Sequence, residues 1–236
     1  MLAGNGILNS LLISLGYSQS QADYSLYVKS DHHSFIALLV YVDYIVLAGN
    51  SMQVIKLVKQ LLDETFRIKD LGKLRFFLGF DIARSATGIF MNQRKYTLEL
   101  LENTDFLATK PSYVPFGPTF KLSLTDGKPF EDPSAYRRLI GRLIYLTNTR
   151  PDISYDVQHL SQFVSNLLVH HYQVAIRILR YLKSFSVRGI LLSSTRSLKL
   201  YGFTDSDWAR CPDTRKSTTE YCVILGSSLL CWKSKK

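Results

Sequence analysis

Residues 38 to 51, LLVYVDYIVLAGNS, place a single carboxylate, Asp43, between two blocks of aliphatic, β-branched and aromatic residues. Runs of this composition read as two buried strands. Asp43 interrupts them before they reach the roughly 18 apolar residues that a membrane span needs. The pattern predicts a hairpin with Asp43 and Tyr44 at its tip. An ionised carboxylate buried without a partner is costly, so either Asp43 sits at an exposed tip or it holds something.

The flanking sequence places this hairpin in a layered unit. Leu8, Leu11, Leu12 and Leu15 recur at helical spacing, and no basic stretch precedes them, so the N-terminus reads as a helix and not as a signal peptide. ADYSLYVKS gives a short strand, followed by a polar turn over 30–34. Ser51 can cap a helix in which Val54, Ile55, Val58, Leu61, Leu62 and Phe66 repeat at three and four residues. KLRFFLGFDIAR and GIFMNQ then predict a second hairpin closed at Gly88, and a short helix follows over 95–103.

The stretch TKPSYVPFGPTFKLSLTDGKPFEDPS is rich in Pro, Gly and Ser and reads as a linker. Beyond it, Pro133 and Pro151 stand where first-turn prolines start helices, and VHHYQVAIRILRYLKSF adds another with Ile176, Leu179 and Leu182 on its apolar side. From Gly189 the pattern changes to four short strands, GILLSS, SLKLYGFTDSDW, TTEYCVILG and SLLCWKS. The fold class is therefore α+β.

Charge is spread unevenly over the 236 residues. Residues 1–110 carry eleven Lys and Arg against ten Asp and Glu, and residues 111–236 carry eighteen against nine. A basic second half suits a polyanionic partner, and equally a solvated basic surface. Arg137, Arg138 and Arg142, with Arg177, Arg180 and Lys183, repeat at helical spacing and could track a phosphate backbone or face water. Cys211, Cys222 and Cys231 lack paired CxxC spacing, which reads as a reduced intracellular protein without a zinc site. His32, His33, His159, His170 and His171 show no ligand spacing. Location within the cell is not legible.

The blocks SLGYSQSQADYSLYVKS, FIALLVYVD, DLGKLRFFLGFDI, YRRLIGRLIYLTNTRPDISYDV, RILRYLK and DSDWARCPDTRKSTTEYCVILG occur in that order. Together they resemble the pol polyprotein of copia-type LTR retrotransposons, and also the short copia-derived reading frames of plant genomes and mitochondria. The resemblance implies a reverse transcriptase palm remnant and the start of a thumb over 1–110, a linker and helical connection over 111–185, and a truncated ribonuclease-H-like sheet over 186–236. The implied partners are RNA and DNA, with no membrane. The implied metal is Mg²⁺, which the family uses for two-metal nucleotidyl transfer.

On this resemblance YVDY at 41–44 takes the place of the family's YVDD tetrad. Asp43 is then a polymerase metal ligand, and Asp205 in YGFTDSDWA the first ribonuclease H ligand. Phe77 and Gly79, in the FFLGFDI element, would support the primer terminus. Arg138, Arg142, Arg177, Arg180 and Lys183 join them as nucleic-acid contacts. Two departures touch the chemistry: Tyr44 replaces the second Asp, and the palm strand carrying the family's other catalytic Asp would precede Met1. Neither Asp23 nor Asp31 sits in a setting that suggests a substitute. Asp207, Asp213 and Glu220 read as surface acids.

The implied function is a reverse transcriptase fragment that is catalytically inactive and binds no Mg²⁺ stably. A non-catalytic nucleic-acid-binding module and a subunit of a split reverse transcriptase are the alternatives. The helices that would cover the last sheet would follow Lys236, so an exposed apolar face is expected around Leu229, Leu230 and Trp232.

Overall fold

A computed structural model describes residues 2–116, 122–125, 127–195, 197–209, 211 and 213–236, with side chains from residue 6 onward. It divides into two compact units, Met1–Leu74 and Arg75–Lys236. All strand ladders are antiparallel and the helices are separate from them, so the fold is mixed α and β of the α+β kind.

In the first unit, α1 (Leu2–Ser14) leads into β1 (Ser18–Gln19), β2 (Leu26–Ser30), β3 (Phe35–Tyr41), β4 (Tyr44–Gly49) and α2 (Met52–Phe66). The strands form one meander in the order β1-β2-β3-β4. Asp31 closes the β2–β3 turn by accepting from the backbone amides of His33 and Ser34 at 2.9 and 2.6 Å. The predicted cap is present: Ser51 Oγ accepts from the Val54 amide, starting α2. Leu8 and Leu12 of α1, Ile36 and Leu38 of β3, and Val58 and Leu62 of α2 meet in the core. Full burial of such side chains is worth about 1.5–3 kcal/mol each.

The second unit opens with β5 (Phe76–Phe77), β6 (Phe80–Ser85), β7 (Gly88–Asn92) and α3 (Arg94–Glu102). Between Thr104 and Glu131 the described residues form no helix or strand, as their composition predicts, apart from one bridge of Pro129 to Leu168. Three helices follow: α4 (Pro133–Leu146), capped by Asp132 on the Ala135 amide; α5 (Ser154–Ser161); and α6 (Val169–Ser184). Pro151 starts a 3-10 turn, Pro151–Ile153, that leads into α5. Leu100, Leu101, Tyr136, Leu143, Ile178 and Leu182 belong to a core shared by these helices.

All four C-terminal strands predicted from the sequence are present: β8 (Gly189–Ser193), β9 (Leu200–Ser206), β10 (Thr219–Leu225) and β11 (Ser228–Lys235). They do not share one sheet. β8 pairs with β7 and completes the order β5-β6-β7-β8, while β9, β10 and β11 form a separate meander. Gly189 permits the β7–β8 approach, because a Cβ there would overlap the Met91 carbonyl.

The exposed apolar surface falls elsewhere than expected. Trp232 is half-buried and donates Nε1–H to the Thr147 carbonyl at 2.9 Å, and α5 packs against β11. Of the three expected residues only Leu230 is exposed. The open side is β9, exposed along its whole length, with Phe203 58% accessible. Helices α4 and α5 reach β11, and β9 is the far edge strand of that sheet.

Two buried polar groups organise the helical layer. Arg150, 1% exposed, forms a bidentate pair with Asp152 at 2.9 and 2.8 Å and donates to the Phe185 carbonyl. Tyr181 also donates to Asp152, and Arg188 lies 3.6 Å from it. Burial pushes the Asp152 carboxyl up, but the bonds and charge from Arg150, with the Tyr181 hydroxyl, hold it below the usual carboxylate range. His171 accepts at Nδ1 from the Leu168 amide and donates from Nε2 to Ser123 O. Burial, helped by His170, lowers His171 to about 4.

Candidate nucleic-acid interface

The β3–β4 ladder continues to Tyr41 opposite Tyr44, leaving Val42 and Asp43 as a two-residue turn. The tip therefore lies one residue earlier than the predicted Asp43–Tyr44, because Tyr44 closes the ladder. Val42 carries φ 50, a rare conformation for a β-branched residue. Residues 41 to 44 are all exposed, so Asp43 projects into water.

A two-metal site needs several converging carboxylates. Among the described residues no group of three His, Cys, Asp or Glu side chains is placed to hold a metal ion. The residues around Asp43 do not fit a Mg²⁺ centre by themselves, since Tyr44 presents a phenol where a carboxylate is needed. Asp23 and Asp31 are committed to turns. A hydrogen bond from the Ser25 hydroxyl lowers Asp23, and one from the His33 amide lowers Asp31.

Asp205 lies on β9, exposed and in register with Glu220 of β10, which in turn pairs with Ser234 of β11. Glu220 is not the surface acid its sequence setting suggests: it is half-buried. Asp213 is exposed yet accepts from the Leu124 amide and Ser123 Oγ, and Asp207 accepts from the Thr218 amide at 2.5 Å.

The FFLGFDI element is a tight hairpin with Phe77 paired to Phe80. Leu78 and Gly79 turn it at φ 48 and 79, the signs that a two-residue type I′ turn requires. Tyr145 of α4 donates its hydroxyl to the Leu78 carbonyl and packs edge-on against Tyr96 at 5.0 Å. A Cβ at Gly79 would lie 3.0 Å from Tyr145 Oη. Arg142 sits over the Tyr96 ring at 5.7 Å. Gly79 and Arg142 are thus brought to one place by two tyrosines that sequence reasoning missed. Beside them, Asp81, Asn92, Arg94, Lys95 and Leu98 line a surface cleft of about 370 Å³, and Lys95 lies 5.7 Å over Phe76.

The other cations divide by use. Arg177 donates to the Val114 carbonyl and Lys183 to the Thr109 carbonyl, so both strap the segment before α4 onto α6. Arg137 donates to Val164 O. Arg138 and Arg180 are exposed. No described helix is long and apolar enough to cross a membrane.

The family described as reverse transcriptase (RNA-dependent DNA polymerase) matches residues 2–118. A retrovirus-related Pol polyprotein from transposon RE1 of Arabidopsis thaliana is 40% identical over 229 residues, 97% of this chain and 16% of the polyprotein. An uncharacterized mitochondrial protein of the same plant is 38% identical, across 84% of this chain and 82% of its own length. A putative transposon Ty5-1 protein of Saccharomyces cerevisiae is 30% identical, covering 100% of this chain and 77% of the relative. The chain spans about 16% of the Pol polyproteins it matches. No solved structure matches it significantly. With its YVDY hairpin and FFLGFDI turn in the matched region, the chain belongs to the copia-type reverse transcriptase family.

Proposed function

We propose that this chain is a piece of a copia-type reverse transcriptase that binds RNA or DNA but does not polymerise by itself. Residues 1–110 correspond to palm and the start of the thumb, 111–185 to a linker and helical connection, and 186–236 to the opening of a ribonuclease-H-like sheet. Asp43 and Asp205 occupy the places of metal-binding acids in the two activities. Phe77 and Gly79 sit on the hairpin that would face a primer, and exposed Arg138 and Arg180 with half-buried Arg142 supply positive charge toward phosphates.

The observation that carries the inactive reading is the hairpin tip, where Asp43 stands in water beside a phenol. Nucleotidyl transfer by two metals needs more carboxylates than this tip offers. Primer extension on an RNA template with Mg²⁺ or Mn²⁺ tests it. No extension is expected from the chain or from Tyr44→Asp, because one added carboxylate still leaves the set short. Template-dependent extension by either protein, surviving controls for contaminating polymerase, overturns the reading.

A further inference from the structure

Among the described sheet edges, β9 alone is exposed at every residue, from Leu200 to Ser206. The devices that usually protect an edge are missing from it: the strand carries no Lys and no Pro, and its ladder to β10 runs without a bulge. A Cβ added at Gly202, near the strand's centre, would meet nothing within 4 Å.

The hydrogen bonds to β10 fix what this edge offers. Asp207 N donates to Thr218 O at 3.1 Å and Gly226 N to Lys199 O at 2.8 Å, one residue beyond each end of the β9–β10 ladder. In an antiparallel pair such bonds recur at every second residue. The odd-numbered residues therefore bond to β10, and Leu200, Gly202, Thr204 and Ser206 turn their amides and carbonyls to the open edge. Tyr201, Phe203 and Asp205 share one face, and Lys199 and Asp207 continue the alternation at the two ends.

We propose that this edge pairs with β9 of a second copy of the chain, antiparallel and centred on Phe203, so that two three-stranded sheets become one of six strands. With Phe203 opposite itself, Gly202 meets Thr204 and Leu200 meets Ser206, and every outward residue of the strand is bonded. Tyr201 then lies opposite Asp205, a phenol that donates facing a carboxylate that accepts. Lys199 lies opposite Asp207, whose Oδ1 accepts from the Thr218 amide and whose Oδ2 can take the lysine. The two-fold makes each of these contacts twice and closes the assembly at a dimer. Charge and register select this arrangement. Centring on Gly202 sets Ser206 opposite Leu198, outside the strand, and leaves Asp207 without a cation. Centring on Thr204 sets Phe203 against the Asp205 carboxylate, and a parallel pairing in register sets Lys199 and both acids against their own copies. The pairing does not depend on nucleic-acid binding.

Seven residues a side fall well under the roughly 20–30 of a standard interface, so a dissociation constant on the order of 10⁻⁵ M is expected. Analytical ultracentrifugation of the full chain, free of nucleic acid, is expected to show a reversible monomer–dimer equilibrium between about 10⁻⁶ and 10⁻⁴ M. Over that range, amide exchange at Leu200, Gly202, Thr204 and Ser206 is expected to slow about fourfold, following the monomer fraction. Lys199→Glu places two acids opposite the two Asp207 and is expected to weaken the dimer more than tenfold. Phe203→Cys is expected to cross-link between copies under mild oxidation, because a non-hydrogen-bonded pair holds its Cα atoms about 4.5 Å apart, within disulfide reach. Leu200→Cys, opposite Ser206, and the parent chain with its three native cysteines are the controls. A chain that is monomeric at about 10⁻⁴ M overturns the pairing. So does a dimer indifferent to Lys199→Glu, a dimer in which Leu200→Cys cross-links as readily as Phe203→Cys, or a monomer whose outward amides are slow at every concentration, its edge being covered by the chain itself.

Discussion

Removing either partner of the Arg150–Asp152 pair is expected to destabilise the second unit, and by unequal amounts. Breaking a buried ion pair from one side costs about 3–5 kcal/mol, because the survivor is left as an uncompensated charge. Here the survivors differ. The Asp152 side chain is 26% exposed and would keep Tyr181 and Arg188, so Arg150→Met falls at the low end, about 3 kcal/mol. The Arg150 side chain is 2% exposed and, among the described residues, would keep its bond to Phe185 O and the Tyr181 ring at 5.6 Å. Asp152→Ala therefore falls at the high end, about 5 kcal/mol. The double variant is expected to cost less than the sum by about 2–3 kcal/mol, since it strands neither charge. Urea unfolding at pH 7, followed by circular dichroism, measures all four corners of the cycle. An Asp152→Ala cost below that of Arg150→Met, or simple additivity, refutes the reasoning.

His171 is expected to link stability to pH. Its folded value lies near 4 against about 6.5 unfolded, so the unfolded chain binds the extra proton first, and stability falls as pH drops from about 6.5 towards 4. The loss is on the order of 3 kcal/mol, read as the difference in pH slope between the parent chain and His171→Gln; equal slopes contradict it. Tyr145→Phe removes the bond to the Leu78 carbonyl and is expected to cost about 1 kcal/mol and to speed amide exchange across 76–82, while unchanged exchange there would show that packing alone holds the hairpin. Strand β9, with its open edge and exposed face, is expected to exchange faster than β8 and to promote aggregation at moderate salt, when Lys233 and Lys235 are screened. Slow exchange through 200–206 in a chain that stays monomeric would count against this.

What the sequence revealed and what it hid follow from the range of the forces involved. Local periodicity and capping are written in neighbouring residues, so α2 with its Ser51 cap, the start of α4 at Pro133, and all four C-terminal strands were legible. The pairing of β8 with β7 was not, because hydrophobic alternation says which face is buried and not which distant strand completes the ladder. The resemblance gave FFLGFDI as a hairpin, but its turn at Leu78–Gly79 could not be located from the residues alone, because its φ signs are met by a pair other than the Asn-Gly or Asp-Gly that usually announces them. Cation spacing on α6 suggested a phosphate track, yet Arg177 and Lys183 are bound to backbone carbonyls of Val114 and Thr109, acceptors that carry no sequence signature. The YVDY motif was readable to within one residue, and what could not be read was that Tyr44 belongs to the ladder and not to the turn.

Salt dependence of nucleic-acid binding tests the central claim most directly. The full chain, titrated against single-stranded and duplex DNA and RNA of unrelated sequence, is expected to bind with constants on the order of 10⁻⁴–10⁻⁶ M at physiological salt and to weaken steeply as salt rises, since each phosphate contact releases counterions. Replacing Arg138 and Arg180 with Gln in the whole chain is expected to reduce the slope of log affinity against log salt by about 1 per residue. The same exchange at the exposed Lys56 and Lys69 of the first unit is expected to leave it nearly unchanged. Binding that ignores salt, or that suffers more from Lys56 and Lys69 than from Arg138 and Arg180, would contradict the assignment of this chain as a nucleic-acid-binding piece of a reverse transcriptase acting through its basic second half.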